Sequence, residues 1–205
     1  MALPEQAFSE GALLTPPFKG ERDYVAAVDI LRSIDAALCP DFCSKGQLSV
    51  EFRQVVDGGL QIVSGQGPEA PVRLRWFDEG TTQMFSLMKV AAGAPRVSNA
   101  LPPYVLQSMD CGDVITLNEL GGHSNLFECV VDAGKRLQPA PDTLSKWLVR
   151  SVQLNLCRTP RPWARFMLVR EALRGGMMRW NVADLKGYRV LSVVSVLVRA
   201  QLPVN

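Results

Sequence analysis

NELGGHSNLFECVVDAGKRL, residues 118 to 137, contains the chain's only histidine and reads as a loop that feeds a helix. Phe127, Val130, Val131, Gly134 and Leu137 recur at three- and four-residue steps. One stripe of the helix is therefore small or apolar, and the opposite stripe carries Glu128, Asp132, Lys135 and Arg136. Asn125 is a good N-cap, and Glu128 three residues later can reach back to its amide. The pattern predicts a helix from Asn125 to Leu137 that begins beside His123, where a histidine, carboxylates and helix amides gather.

Upstream, Asp23 to Leu38 places Ala27, Ile30, Leu31, Ile34 and Leu38 on one face, with Asp29 and Arg32 off it, and Pro40 stops this first helix. After Gly46 the period falls to two. Leu48, Val50 and Phe52 alternate with Ser49, Glu51 and Arg53, Asp57-Gly58-Gly59 reads as a hairpin turn, and Leu60 to Ser64 returns. A third strand with Val72, Leu74 and Trp76 follows, then a turn at Asp78-Glu79-Gly80 and a fourth strand from Thr81 to Val90. An edge strand is expected near Ala12 to Leu14. Ala91 to Pro103, rich in Ala, Gly and Pro, reads as a connection, which sets a boundary near residue 100.

Downstream, Val114 to Leu117 forms a short strand into the quoted stretch. Trp147 to Leu156, Trp163 to Glu171, Met177 to Val182 and Tyr188 to Ala200 then read as four strands separated by Pro160/Pro162, Gly175-Gly176 and Lys186-Gly187. A helix followed by antiparallel strands thus appears twice, in residues 1–100 and 101–205, and suggests duplication. The fold class is α+β. Two readings remain: a double hot dog, in which each half wraps a curved sheet around a helix, and a single sandwich of two helices on one large sheet.

A chain of 205 residues can bury a real core. With 47% hydrophobic residues and a formal net charge of +2, composition excludes a disordered chain and gives no electrostatic case for nucleic acid. Five scattered cysteines, an odd number, suit reduced thiols. Cys39 and Cys43 lack zinc or redox spacing, and no metal or cofactor is expected. Neither a signal peptide nor a long uncharged apolar run is evident, so the expectation is a cytoplasmic protein off the membrane.

Glu119-Leu120-Gly121-Gly122-His123-Ser124-Asn125 resembles the loop of hot-dog acyl-CoA thioesterases, in which an acidic residue, two spacers, Gly-His, one residue and Asn lead into the central helix. The strands from Trp163 to Ala200 are similar in kind to that family's closing strands, and related dehydratases act on β-hydroxyacyl thioesters. Two positions depart from the pattern: Glu119 stands where Asp is usual, and Leu126 where a second Asn is. The resemblance implies hydrolysis or dehydration of an acyl-CoA or acyl-carrier-protein thioester, with a possible homodimer.

Catalytic candidates are Glu119, His123 and Glu128, and substrate-binding candidates are Gly122, Asn125, Arg161 and Arg165. The N-terminus of the second helix, with the amides near Gly122 and His123, can polarise the thioester carbonyl, and the carboxylate of Glu119 or Glu128 can activate water or attack directly. In a dehydration, His123 would take the α-proton and a carboxylate would protonate the departing hydroxyl. Arg158, Arg161, Arg165, Arg170 and Arg174 suit either phosphates or a solvated strand face. The other function class is a silent protein of the same fold that binds an acyl or aromatic ligand or serves assembly. The Gly-rich phosphate loop, the Gly-x-Ser-x-Gly elbow and the His-rich metal cluster do not occur in the sequence.

Overall fold

A computed structural model of the chain describes residues 6–19, 24–93, 95–97, 104–109, 112–117, 123–137, 145–158, 164–172 and 175–199. Strands β1 (Leu13–Leu14) and β2 (Phe18–Lys19) precede helix α1 (Ala27–Ala37) and a short 3-10 turn (Pro40–Phe42). Then come β3 (Gln47–Phe52), β4 (Gly59–Ser64), β5 (Val72–Asp78), β6 (Thr81–Val90) and β7 (Arg96–Val97). The rest is β8 (Tyr104–Met109), β9 (Gly112–Leu117), helix α2 (His123–Leu137), β10 (Ser145–Asn155), β11 (Arg165–Ala172), β12 (Met177–Asp184) and β13 (Arg189–Arg199).

Eleven of these strands form one antiparallel sheet in the order β1-β4-β6-β5-β3-β10-β13-β12-β11-β9-β8. Alternation decides which face is covered: Leu48, Val50, Leu74, Trp76, Val152, Leu154, Leu191 and Val193 are buried, while Ser49, Arg75 and Gln153 between them are not. Ile30, Leu31 and Ile34 of α1 and Leu126, Phe127 and Val130 of α2 join the same core. The helices touch each other across the seam where β3 pairs with β10, with Val50 opposite Val152. Both helices thus serve one continuous α+β layer. Gly134 lets α2 approach β12, since a Cβ there would stand 3.1 Å from Trp180 Nε1.

The two sets of strands are not ordered alike. Counting outward from the seam, the strands after α1 run first, third, fourth, second, whereas those after α2 run first, fourth, third, second. Connection length explains the difference. Gly175 and Gly176, both with φ near +70°, close a tight hairpin that forces β11 and β12 to be neighbours. Residues 65–71, with Pro68 and Pro71, are long enough to cross β6 and place β5 beside β3.

That order corrects the hairpin expected at Asp57-Gly58-Gly59, because β3 and β4 do not pair. The glycine serves close packing instead. The Gly59 amide donates to the Ala92 carbonyl at 3.0 Å, and a Cβ on Gly59 would lie 2.6 Å from Ala92 Cβ. Four further expectations change. Helix α1 is capped at Ala26, not Asp23, which lies outside the described residues. Helix α2 starts at His123, so Asn125 sits inside its first turn and not at its N-cap. Strand β8 lies where no strand was expected, and β7 pairs in parallel with β2 inside the presumed connection. No helix among the described residues is long and apolar enough to cross a membrane.

Candidate active site

A cavity of about 530 Å³ opens between the start of α1, the middle of α2, residues 52–56, the first part of β10 and the end of β13. Its walls are mostly apolar, with Val25, Ile30, Phe127, Val131, Trp147 and Val196 among them. Val131, which periodicity places on the apolar stripe of α2, and Val196 of β13 are half-buried because they border this space. Two arginines on exposed positions, Arg53 and Arg150, also border it. Arg53 Nη1 donates to the Pro68 carbonyl at 2.5 Å and Arg150 of β10 pairs with Glu51 of β3 at 3.0 Å, so each is held by a neighbouring segment.

Two carboxylates of α2 face this cavity, Glu128 and Asp132. They are one helical turn apart and therefore share a face. Glu128 is only 7% exposed, and its Oε2 accepts a hydrogen bond from Arg32 Nη2 of α1 at 2.9 Å. Arg32 also lies 3.6 Å from Asp29, a fully buried carboxylate one turn earlier on α1. Asp132 accepts from the Tyr104 hydroxyl at 2.6 Å and pairs with Arg136 Nε at 2.9 Å on the same oxygen. Burial, and then the bond to Asp132, hold the Tyr104 phenol well above the usual tyrosine range. Burial also pushes the Cys129 thiol up to about 12, with the neighbouring Glu128 and Asp132 charges adding to the effect.

The third element is backbone. Ala26, Ala27 and Val28 line the cavity, and the alanine N-cap supplies no side-chain hydrogen bond to the first turn. A helix start with an apolar cap presents its first amides, and the positive end of its dipole, to whatever fills the adjoining space. The cavity therefore combines an apolar chamber, a helix N-terminus and a buried carboxylate held from across the seam.

Of the residues singled out in the sequence, the structure brings Glu128 to this cavity. Asn125 is half-buried on α2, and Arg165 is exposed on β11. His123 opens α2 one turn before Phe127, on the same helical stripe, and its side chain is not among those described. Glu119, Gly122, Arg161 and Arg174 lie outside the described residues. The two other described arginines of that run have separate partners. Arg158 stacks over Tyr188 at 4.2 Å, and Arg170 Nη1 donates to the Leu137 carbonyl at the end of α2. The polar stripe of α2 is also not turned wholly to water, since Glu128 is buried against α1.

Sequence reasoning missed Asp29, Arg32, Tyr104 and Trp147. One signal was available: Glu128, Asp132 and Arg136 stand at successive four-residue steps, a charged row on a helix that must pack on both a sheet and a second helix. A second hollow, of about 340 Å³, lies by β3, β5 and β10 and is lined by Gln47, Ser49, Arg75, Phe77 and Gln153 among others. Among the described residues it brings no carboxylate to face a helix start.

No protein-family model matches the sequence, and no curated protein matches it. Solved structures do. The tesB protein of Mycobacterium avium subspecies paratuberculosis aligns with a TM-score of 0.50 at 9% identity, covering 90% of this chain and 91% of that one. The chain shares its hot-dog fold. An acyl-ACP thioesterase from Bacteroides thetaiotaomicron aligns at 0.47 and 9% identity, over 91% of this chain and 96% of that one. The dehydratase domain from the CurJ module of curacin polyketide synthase aligns at 0.48 and 11% identity, over 91% of this chain and 87% of that one. At such identities the likeness is one of fold, and chemistry has to be argued from the site.

Proposed function

We propose that the protein acts on an acyl thioester, of coenzyme A or of an acyl carrier protein, with the acyl chain in the cavity between the two helices. The observation that carries this reading is the placement of the buried Glu128 carboxylate in an apolar chamber that also borders the first turn of α1. Amides of that turn are suited to stabilise the oxyanion that forms when the thioester carbonyl is attacked. Glu128 accepts a proton from water, the water oxygen bonds to the carbonyl carbon, and the carbon–sulfur bond breaks. The thiolate leaves with the proton that Glu128 returns.

Hydrolysis is the better supported reaction, because Glu128 and the α1 amides suffice for it. Dehydration of a β-hydroxyacyl thioester would use the same cavity, with Glu128 protonating the leaving hydroxyl and the imidazole of His123, one turn before Phe127, taking the α-proton. Both reactions are in keeping with the fold, which an acyl-ACP thioesterase and a polyketide synthase dehydratase domain also adopt. The architecture that goes with this reading is a double hot dog of residues 1–100 and 101–205, in which the β5–β6 hairpin of the first half is turned over between β3 and β4. A cytoplasmic location fits the same substrates.

The test is a panel of acyl-CoA and acyl-carrier thioesters assayed separately for thiol release and for enoyl formation. Glu128→Gln keeps the size and removes the proton acceptor, so turnover should fall by roughly 10²–10⁴ while the fold persists. Thiol release lost in Glu128→Gln but kept in His123→Ala identifies hydrolysis, and enoyl formation lost in both identifies dehydration. Wild-type protein that turns over no thioester would reject the reading in favour of a binding or assembly role.

A further inference from the structure

We propose that Arg32, braced by Asp29, is a positioning residue for the Glu128 carboxylate, so that the site is assembled across the two halves of the chain. The inference rests on the thioester reading above and adds residues that neither sequence pattern nor fold likeness assigns. Arg32 and Glu128 are 96 positions apart, yet Nη2 of one donates to Oε2 of the other at 2.9 Å. Asp29, 0% exposed, lies 3.6 Å from the other terminal nitrogen. One planar guanidinium thus spans two buried carboxylates on different helices.

A glutamate side chain turns about several bonds, so its carboxylate is placed by the groups that hold it. The Arg32 fork removes that freedom, and Asp29 fixes the fork. Stability is a poor reason for such an arrangement, because the Arg32 side chain is 44% exposed and solvent-screened while burying its two carboxylates costs about as much as their pairing returns. Geometry is a better one. Glu128 borders the cavity, and misplacing a reacting group by about 1 Å can cost roughly 10²-fold in rate.

The experiment is steady-state kinetics on the full chain for Arg32→Met, Arg32→Lys, Glu128→Gln and the Arg32→Met/Glu128→Gln double variant, each with its unfolding midpoint. The expected result is a kcat lowered about 10- to 100-fold in Arg32→Met, with KM within about threefold. Arg32→Lys should recover part of the kcat by restoring the charge without the fork. In the Glu128→Gln background the Arg32→Met change should have no further effect on kcat, because there is then no base to position. Wild-type kcat in Arg32→Met, or losses that add fully in the double variant, would overturn the proposal while leaving the thioester reading intact. So would equal losses in the Met and Lys variants that follow their unfolding midpoints. Full turnover in Glu128→Gln, or none in the wild type, would overturn the thioester reading and this proposal with it.

Discussion

Replacing Phe127 with alanine perturbs the core and the cavity at once, because its ring is 0% exposed and also forms part of the cavity wall. Returning a buried phenylalanine to water forfeits about 1.5–3 kcal/mol. Removing about 100 Å³ of side chain adds up to about 24 cal/mol/Å³, or ~2.4 kcal/mol, where the surrounding atoms do not collapse. Here the new space joins a cavity that already has carboxylates on its wall, so water can enter and the second contribution shrinks. The expected loss is about 3–4 kcal/mol, within the usual range for Phe→Ala. For a domain of this size that lowers the midpoint of thermal unfolding by about 6–16 °C. Urea unfolding should show a lower midpoint at unchanged slope. If the same variant still turns over thioesters, its preference should move to longer acyl chains, since the wall has receded. A loss below about 1 kcal/mol would refute the placement of this helix face, because a fully buried ring cannot be deleted so cheaply.

Gly134→Val should destabilise by about 1–3 kcal/mol through overpacking, since even the first added carbon would stand 3.1 Å from the buried Trp180 ring. A native-like midpoint and tryptophan emission in that variant would reject the helix–strand contact. Tyr104→Phe removes a 2.6 Å hydrogen bond to Asp132 and should cost about 1 kcal/mol near neutrality in chemical unfolding. Because the folded Tyr104 holds its proton to higher pH than an unfolded tyrosine, its contribution is present below about pH 10 and is lost as pH rises through the folded value. The alkaline fall in stability should therefore be smaller in Tyr104→Phe, and an identical fall would contradict the assignment. The Cys129 thiol, buried and pushed up to about 12, should resist alkylation at pH 8 until the protein unfolds, while Cys157 reacts at once. Peptide mapping that finds native Cys129 labelled as fast as Cys157 would place α2 differently.

Strand positions were legible because their signal is local. Leu48-x-Val50-x-Phe52 and Val72-x-Leu74-x-Trp76 alternate, and each pattern sets the buried face observed in β3 and β5. Strand order was not legible, since nothing in residues 53–58 says whether β4 lies beside β3 or beyond two other strands. The Gly58-Gly59 pair looked like a turn and proved to be a close approach to Ala92. The same limit hid most of the site. Glu128 was visible as a helix carboxylate, but its partner Arg32 is 96 positions away and reads, by period alone, as a solvent residue of α1. Tyr104 was missed with its strand, whose alternation is weak and whose neighbours are prolines.

The most direct test of the account is a crystal structure of the full chain with an acyl-CoA analogue in which the thioester sulfur is replaced by methylene, so that the ketone cannot be cleaved. The expected result places the acyl chain against Phe127, Val131 and Trp147, the ketone oxygen about 3 Å from the amides of Ala27 and Val28, and Glu128 within reach of the carbonyl carbon or of a water between them. An analogue bound elsewhere on the molecule, or seated with its ketone turned away from both α1 and Glu128, would contradict the central claim.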